Sequence, residues 1–318
     1  MAANVLFICF NRPKLALAAF EQLRNAKPSF LYIAADGPRS TRPGEAALCD
    51  EVRSVFDDVD WPCHVVRDFA PQNMGCEARI ESALQHTFEN VDQAIVMEDD
   101  LIPEDGFYGF IETMLDKYAD TPCVGTIAGS SYVRASALCR SSYYYSRYAN
   151  TLGWGTYKRV ISKVDWKPDP QDITERLGKV LERRDEGAKW AECVRLVYNG
   201  TVSTWDFQYV ISQILAKNLS VTPRISMVTH IGTGPDATHT PVNDNFFLRP
   251  VQPFSGEIRH PRRMRRNVVL DAMHSLGAMR PRNRWYVKAR PYGQEIRKRL
   301  VDQRLEPLSP TPSKGATS

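Results

Sequence analysis

Short apolar runs alternate with amphipathic segments through roughly the first 130 residues. Strands that alternate with helices in this way are typical of an α/β fold whose sheet is mainly parallel. The predicted strands are Val5–Phe10, Phe30–Ala35, His64–Arg67, Gln93–Met97 and Val124–Ala128. The predicted helices begin at Pro13 and span Glu45–Phe56, Glu77–Phe88 and Phe107–Tyr118.

The pattern becomes mixed in the second half of the chain. The sequence predicts a loop or short strand over Ser141–Tyr148, helices over Trp154–Val164, Ala188–Tyr198 and Trp205–Ala216, and a strand over Ser220–Thr229. No composition typical of a linker precedes residue 250 or so. We therefore predict one domain over residues 1–250, a basic extension over 251–305 and a disordered tail over 306–318, which is rich in Ser, Pro and Thr.

The sequence predicts a cytoplasmic protein. No run approaches the roughly 18 apolar residues that cross a bilayer. The apolar run at Val5–Phe10 is too short for the core of a signal peptide. The seven cysteines are scattered and form no Cys-x-x-Cys pair, so neither a zinc site nor a disulfide framework is indicated. Hydrophobic residues at 43% and charged residues at 25% exclude fibrous and wholly disordered classes.

Positive charge is concentrated at the C-terminal end of the chain. Residues 259–318 contain fifteen Lys or Arg and four Asp or Glu, a net of +11, whereas the whole chain carries +4. Arginines interleaved with Trp285, Tyr286 and Tyr292 suit an anionic lipid surface, where each cation contributes about 1 kcal/mol. We expect residues 259–300 to hold the protein at the inner face of the membrane. Nucleic acid or another polyanion is an alternative partner, without a motif to support it, and a solvated tail with no partner is another.

A buried-type strand ends in three consecutive carboxylates, Glu98, Asp99 and Asp100. Ligand sites in open α/β sheets lie beyond the carboxyl ends of the strands. Adjacent acids repel one another, and a divalent cation removes that penalty. Mn²⁺ or Mg²⁺ prefers hard oxygen ligands and often takes one or two carboxylates together with substrate phosphates. The alternative is an acidic surface turn at the start of the next helix.

Further motifs follow in order along residues 4–240. They are Phe10-Asn11-Arg12-Pro13, Ala35-Asp36-Gly37-Pro38-Arg39, Gln72-Asn73-Met74-Gly75-Cys76, Leu152-Gly153-Trp154-Gly155, Trp205-Asp206 and Asp236-Ala237-Thr238-His239-Thr240. With these motifs the chain resembles GT-A-fold nucleotide-sugar glycosyltransferases, specifically bacterial family-2-like enzymes related to the N-acetylglucosaminyltransferase I type. The resemblance implies a Rossmann-like nucleotide-diphospho-sugar transferase domain with a mixed central sheet and, here, a basic C-terminal helical extension.

The resemblance also implies how a nucleotide-diphosphate sugar would be bound. Asn11, Arg12 and Asp36 would frame the nucleobase and ribose. Asn73 lies in a segment where backbone would approach the nucleotide, and Arg79, one helical turn further on, would reach the diphosphate. From the residues alone, Asp36 is equally consistent with a turn and Arg79 with a solvated helix charge.

Within the acidic triplet, the family pattern puts Asp100 on the metal, Asp99 near the ribose or the metal shell, and Glu98 near the sugar. His239 lies in a glycine-containing loop and would donate to the diphosphate or complete the metal shell. His230 stands where the common pattern has Asn, which leaves its role open.

Two residues of the second half complete the predicted site. Asp206 is the candidate base for deprotonating the acceptor hydroxyl, and Thr204 would cap its helix; an ordinary helix-start residue is the alternative. Trp154 would stack on a donor or acceptor sugar, and core packing is equally consistent with its position.

These observations, with the resemblance, predict an inverting, metal-dependent glycosyltransferase. It would move a sugar from a nucleotide-diphosphate donor, a UDP-sugar, to a hydroxyl of a glycan or lipid-linked glycan in cell-surface polysaccharide or lipopolysaccharide synthesis. A nucleotidyltransferase is the alternative enzyme class, although Asn11-Arg12-Pro13-Lys14 lacks the glycine-rich phosphate loop of that class. A non-catalytic, membrane- or polyanion-binding protein on a degenerate transferase fold is the other alternative.

Overall fold

The computed structural model describes residues 3–133, 135, 138–232 and 250–278, and an eight-stranded sheet forms its centre. The strands are β1 (Asn4–Cys9), β2 (Phe30–Ala35), β3 (His64–Phe69), β4 (Gln93–Glu98), β5 (Leu101–Pro103), β6 (Val124–Ala128), β7 (Tyr143–Ser146), β8 (Trp154–Tyr157), β9 (Leu219–Pro223) and β10 (Val228–His230). The helices are α1 (Pro13–Ala26), α2 (Glu45–Ser54), α3 (Cys76–Asn90), α4 (Phe107–Lys117), α5 (Lys158–Ile161), α6 (Pro170–Gly178), α7 (Arg184–Tyr198), α8 (Asp206–Leu215) and α9 (Val268–Ala278).

The central sheet runs in the order β3-β2-β1-β4-β8-β6-β9-β7. The first four strands are parallel, β8 is antiparallel to both of its neighbours, and β7 is antiparallel to β9. Strands β5 and β10 form a separate antiparallel pair. The predicted α/β class with a mixed central sheet is confirmed, and the carboxyl ends of β1, β2 and β4 lie at one edge.

The first strand is the centre of this parallel group because both of its faces are covered. Its residues Val5–Cys9 are buried, and the register pairs Ile8 with Ala34 on one side and with Glu98 on the other. Each fully buried large apolar side chain contributes roughly 1.5–3 kcal/mol. Pro13 then starts α1, where a missing N–H costs nothing, as the sequence predicts.

Two predictions for the second half are wrong. The segment predicted as a helix over Trp154–Val164 begins as β8, which pairs with β4 and β6, and only the short α5 follows. The strand predicted over Ser220–Thr229 is two strands, β9 and β10, in different sheets. In both cases pairing with distant strands decides the backbone, which local periodicity does not report.

Residues 250–278 pack against the domain that precedes them. Val251 forms a β-bridge with Ser226, and Arg266 forms one with Tyr145 on the edge strand β7. The ring of Phe254 lies 5.2 Å from that of Phe110. The remainder of the predicted extension and tail, residues 279–318, lies outside the described residues. In the described part, no helix combines the length and apolarity needed to span a bilayer.

Helix α9 is attached through polar contacts and through Leu270, which is buried in a small apolar cluster with Val133 and Tyr144. Ser146 Oγ donates to Asp271 Oδ1 at 2.6 Å, and Ser275 Oγ donates to Glu186 Oε2 at 2.8 Å. The imidazole of His274 stacks on Tyr148 at 4.4 Å with 7° between the rings. Burial lowers the pKa of His274 to about 4.

The buried His274 predicts acid-sensitive stability. Its ordinary pKa of about 6.5 applies to the unfolded chain, so the unfolded state binds the proton first and stability falls as the pH drops from about 6.5 towards 4. His274→Phe retains the ring stack and removes this titration. Between pH 8 and pH 5, we expect the free energy of unfolding, measured in urea, to fall by about 2 kcal/mol more in the wild type than in the variant. Equal losses would contradict a buried neutral imidazole.

Candidate active site

The ends of β1 and β4 are joined by an arginine that contacts two carboxylates. Arg12 forms an ion pair with Asp99 and donates from its other terminal nitrogen to Asp100 Oδ2 at 3.1 Å. The backbone N–H of Phe10 donates to Asp99 Oδ2 at 3.3 Å. Asp99 is almost fully buried, and burial, partly offset by Arg12, raises its pKa to about 6. The motif containing Arg12 thus meets the acidic triplet directly.

The end of β10 and the residues that follow it contact Asp100 on the other side. His230 Nε2 lies 3.4 Å from Asp100 Oδ2, and the backbone N–H of Ile231 donates to the carbonyl of Asp100 at 2.8 Å. A Cβ at Gly232 would lie 2.2 Å from Asp100 Oδ2 and 2.7 Å from its Cγ. Burial acts to raise the pKa of Asp100, but the hydrogen bond and charge of His230, together with Arg12, lower it below its ordinary value. Glycine is therefore needed at 232 for this close approach.

Glu98 is the carboxyl group of the triplet that favours its neutral form. Burial, followed by the charges of Asp100 and Asp99, raises its pKa to about 8, with Asp206 adding to the effect. At neutral pH its carboxyl group is therefore largely protonated and able to donate a hydrogen bond.

Asp206 begins α8, and it is close enough to Glu98 for its charge to contribute to the raised pKa of that group. The Thr204 hydroxyl donates to Asp206 Oδ1 at 2.5 Å. The prediction that Thr204 caps the helix is wrong, because Trp205 is the N-cap residue and no side chain makes the capping bond. The first turns of α8 and α3 are linked by a hydrogen bond, in which Gln208 Nε2 of α8 donates to Glu77 Oε1 of α3 at 3.0 Å.

Two further residues lie in the same electrostatic environment, and neither was predicted to belong to the site. The pKa of the Cys76 thiol, at the start of α3, is raised by burial and then by Glu98, Asp206 and Asp100. The pKa of Tyr132 is raised by burial and then by Asp206 and Glu98. Cys76 is the last residue of the Gln72–Cys76 motif, so its position was available from sequence, whereas Tyr132 lies in an irregular segment without any motif.

The loop after β2 is organised by Asp36. Its Oδ1 accepts from the backbone N–H groups of Gly37 at 2.8 Å and Met74 at 2.9 Å, and its Oδ2 accepts from Asn73 Nδ2 at 2.9 Å and the N–H of Gly75 at 3.3 Å. Gly75 has φ +83°, which permits this turn into α3. Asp36 and Asn73 thus bind each other, and direct binding of a nucleotide by either remains a prediction.

Asn11 is likewise engaged within the protein. Its Nδ2 donates to Glu45 Oε1 at 2.9 Å, and Glu45 is also paired with Arg39. Hydrogen bonds from Arg39 outweigh burial and lower the pKa of Glu45 to about 2. The guanidinium of Arg39 lies 5.4 Å from the centre of the Phe10 ring. The predicted nucleoside contacts at Asn11 would therefore be made beside an ionised, buried glutamate.

Two predicted ligand residues are placed elsewhere. Arg79 is 3% exposed and its two terminal nitrogens donate to Asp68, at 2.9 Å to the carboxylate and 2.6 Å to the carbonyl, so it is not placed to reach a diphosphate. Trp154 is 0% exposed on β8 and packs against Trp205 at 5.8 Å and Tyr209 at 4.7 Å, so its ring is enclosed in the core and is not presented to a sugar. Arg79 is held by its buried ion pair with Asp68, and Trp154 is held by core packing. His239 lies outside the described residues.

The chemistry of the donor set fits a hard divalent cation, although no complete cage is formed. Arg12 pairs with Asp99 and Asp100, and His230 approaches Asp100. Burial, and then the charges of Asp100 and Asp99, raise the pKa of Glu98, and Asp206 adds a further negative charge. Within the described ranges, no group of three or more His, Cys, Asp or Glu is arranged to hold a metal. A cation here would need oxygen ligands from a bound phosphate in addition to Asp100, as Mg²⁺ commonly does.

No protein-family model and no curated protein matches the sequence. Among solved structures, HddC from Yersinia pseudotuberculosis is 12% identical, with a TM-score of 0.31 over 50% of this chain and 78% of that chain. A Bacillus anthracis protein described as a glucose-1-phosphate thymidylyltransferase is 13% identical, with a TM-score of 0.33 over 53% and 77%. A UDP-glucose pyrophosphorylase solved with UDP-glucose is 10% identical, with a TM-score of 0.32 over 70% and 91%. Likeness at this level does not identify a reaction.

The state of Glu98 predicts how stability changes with pH in the presence of a chelator. Its pKa of about 8 exceeds the ordinary value of 4.5, so the folded state holds the proton more tightly and stability falls as the pH rises from about 4.5 through 8. Glu98→Gln removes this titration. Between pH 5 and pH 8, we expect the free energy of unfolding, measured in urea, to fall by about 3 kcal/mol more in the wild type than in the variant. A variant that loses as much as the wild type would show that Glu98 is ionised throughout.

Proposed function

We propose that the protein is an inverting glycosyltransferase that takes a sugar from a nucleotide-diphosphate donor, a UDP-sugar, and transfers it to a hydroxyl of a glycan or lipid-linked glycan. The observation that carries this proposal is the convergence of Glu98, Asp99 and Asp100 at the end of β4 with Asp206 at the start of α8. A nucleotide-sugar transfer needs both a polar platform for the donor and a separate base, and these residues supply both.

Asp206 is the proposed catalytic base. The acceptor hydroxyl attacks the anomeric carbon of the donor, the bond from that carbon to the diphosphate oxygen breaks, and the hydroxyl proton passes to the Asp206 carboxylate. One positioned carboxylate suffices when the configuration is inverted and the transition state resembles an oxocarbenium ion. The hydrogen bond from Thr204 fixes the orientation of Asp206, and the position of Asp206 at the first turn of α8 favours its ionised form.

The acidic triplet is assigned to the donor. Glu98, protonated at neutral pH, is able to donate a hydrogen bond to a sugar hydroxyl, which an ionised carboxylate cannot do. Arg12 is the nearby planar cation, and it is held at the end of β1 by Asp99 and Asp100. A diphosphate that approaches this edge would compete with those carboxylates for the guanidinium.

Asp100 is the proposed ligand of Mn²⁺ or Mg²⁺, with diphosphate oxygens and His239 as the further ligands. Such a cation, when bound, stabilises the negative charge that develops on the departing nucleotide. Binding it requires Asp100 to exchange its contacts with Arg12 and His230, both of which approach the same oxygen, Oδ2.

A nucleotidyltransferase is the second candidate, because two of the solved structures compared above are named as enzymes of that class. That reaction would join a nucleoside triphosphate and a sugar phosphate and release pyrophosphate. The loop after β1 argues against it, since Asn11-Arg12-Pro13 offers no glycine for a phosphate-binding turn and Arg12 contacts acids. Incubation with each nucleoside triphosphate and sugar phosphates distinguishes the two, because only a nucleotidyltransferase releases pyrophosphate.

Asp100→Asn tests donor binding. Calorimetric titration of the wild type with UDP, GDP, dTDP and CMP, each with Mn²⁺ and with a chelator, is expected to show one nucleotide that binds more tightly with the metal. In the variant we expect the metal-dependent part of the affinity to fall on the order of tenfold or more, because a carboxylate ligand is lost. Asp172→Asn, which changes an exposed aspartate on α6, is the matched control. If none of the four nucleotides binds the wild type, the non-catalytic alternative is favoured.

Asp206→Asn separates binding from chemistry. We expect the nucleotide affinity to remain within a few-fold of the wild type, and kcat for sugar transfer to fall by roughly 10²–10⁴, which is typical when a general base is removed. Nucleotide release from a panel of sugar donors measures this. A variant that turns over as fast as the wild type excludes Asp206 as the base, whatever the donor proves to be.

A further inference from the structure

Helix α9 has the reverse of the usual distribution of polar and apolar residues. The face that packs against the domain contains the buried residues Leu270, Asp271, His274 and Ser275. The opposite face is apolar and exposed, and consists of Val268 at 54%, Val269 at 57%, Met273 at 40% and Leu276 at 54%, with Ala272 and Gly277 between them. A surface helix of a globular protein ordinarily buries its apolar face. Contiguous exposed apolar residues mark a site of association.

The buried polar contacts hold α9 in this orientation. Asp271 accepts from Ser146 and from the backbone N–H of Arg147, and it also pairs with Arg266 Nε at 3.3 Å. A helix turned to bury its valines and Met273 would leave Asp271 and His274 without these partners. The apolar face is therefore presented outward by the specific packing of the inner face.

The segment just before α9 is strongly basic and exposed. Arg259, Arg262, Arg263 and Arg265 are exposed, and none of the four forms an ion pair with another described residue. Met264, between them, is 47% exposed. Beside Arg259 lies a cleft of about 470 Å³ whose lining also includes Arg140 and Arg224. This basic segment runs along the β7 edge of the sheet, where Arg259 contacts Ser142 and Arg266 contacts Tyr145, and it leads directly into α9.

We propose that the outer face of α9, defined as Val268, Val269, Met273 and Leu276, docks on the surface of an anionic phospholipid bilayer, with Arg259, Arg262, Arg263 and Arg265 contacting the lipid phosphates. An apolar helix face inserts at the boundary between headgroups and acyl chains, and adjacent cations add electrostatic attraction. The two features occur together here in one continuous stretch of twenty residues, 259–278.

Charge complementarity favours a bilayer over a second copy of the chain. Two copies that paired through α9 would bring their arginine segments together, and like charges at an interface are unfavourable. An anionic bilayer instead offers negative charge to the arginines and an apolar layer to the helix.

The docked helix would lie next to the candidate active site. The ring of His274 is 5.7 Å from that of Tyr132, whose pKa is raised partly by Asp206 and Glu98. This position suits an acceptor that is itself held in the membrane, a lipid-linked hydroxyl. That last step rests on the proposed function, whereas docking of α9 does not.

Vesicle binding of the full-length chain tests the proposal. The wild type is mixed with vesicles of phosphatidylcholine alone or of phosphatidylcholine with phosphatidylglycerol, and the bound fraction is measured by flotation. The triple variant Val269→Ser/Met273→Ser/Leu276→Ser leaves the net charge unchanged. The matched control, Leu17→Ser/Leu48→Ser/Leu138→Ser, changes three apolar residues of similar exposure, two of them on α1 and α2.

We expect the wild type and the control to bind the anionic vesicles strongly and the neutral ones weakly. The α9 variant should bind anionic vesicles on the order of tenfold less tightly, because its apolar contribution is lost. The proposal is overturned if the α9 variant binds as the wild type does, which would assign all binding to basic residues. It is also overturned if the wild type binds no vesicle, or if it sediments as a dimer that only the α9 variant dissociates.

Far-ultraviolet circular dichroism and the nucleotide titration described above are repeated on both triple variants to show that they remain folded. Docking can fail while nucleotide binding persists, and nucleotide binding can fail while docking persists. The two proposals are therefore tested separately by the same preparations.

Discussion

The contact of Arg12 with Asp99 and Asp100 is the interaction on which the organisation of the site depends. The parallel register of β1 and β4 brings the start of α1 and the acidic triplet to one edge of the sheet. Three adjacent carboxyl groups in a largely buried position would otherwise destabilise the fold. Arg12 and His230 offset part of that cost, and protonation of Glu98 offsets another part. The remaining surplus of negative charge makes this edge suitable for a cation, including one that also binds a phosphate.

The acidic residues near this edge of the sheet differ in their partners. Asp36 and Glu45 are surrounded by N–H donors and serve to fix loops, Asp36 through the segment before α3 and Glu45 through Arg39 and Asn11. Glu98 instead has other carboxylates, Asp99, Asp100 and Asp206, as neighbours. A carboxylate satisfied by several donors is stabilised in its ionised form, whereas one near like charges holds a proton more readily. The second environment is the one associated with acid–base chemistry.

The C-terminal segment links this site to the surface of the molecule. The polar face of α9 joins the Ser146–Tyr148 segment and Glu186, and its histidine contacts Tyr132 beside the site. These buried polar contacts hold α9 in an orientation that leaves its apolar face exposed. This arrangement explains why a helix of mean apolar character is attached to the domain through its aspartate, histidine and serine.

The sequence alone determined the alternation of strands and helices in the first half, and the predicted bounds of β2 and β6 agree with the structure. It also identified the acidic triplet at the end of β4, because a strand of strongly apolar residues followed by charges is a local signal. The tertiary structure decided what local patterns do not contain. Trp154 lies in a core strand because that segment pairs with β4 and β6, and Arg79 forms a buried ion pair with Asp68. Tyr132 and Cys76 lie near the acidic residues of the site because of long-range packing. The orientation of α9 belongs to the same group, because only the partners of Asp271 and His274 decide which face of the helix is buried.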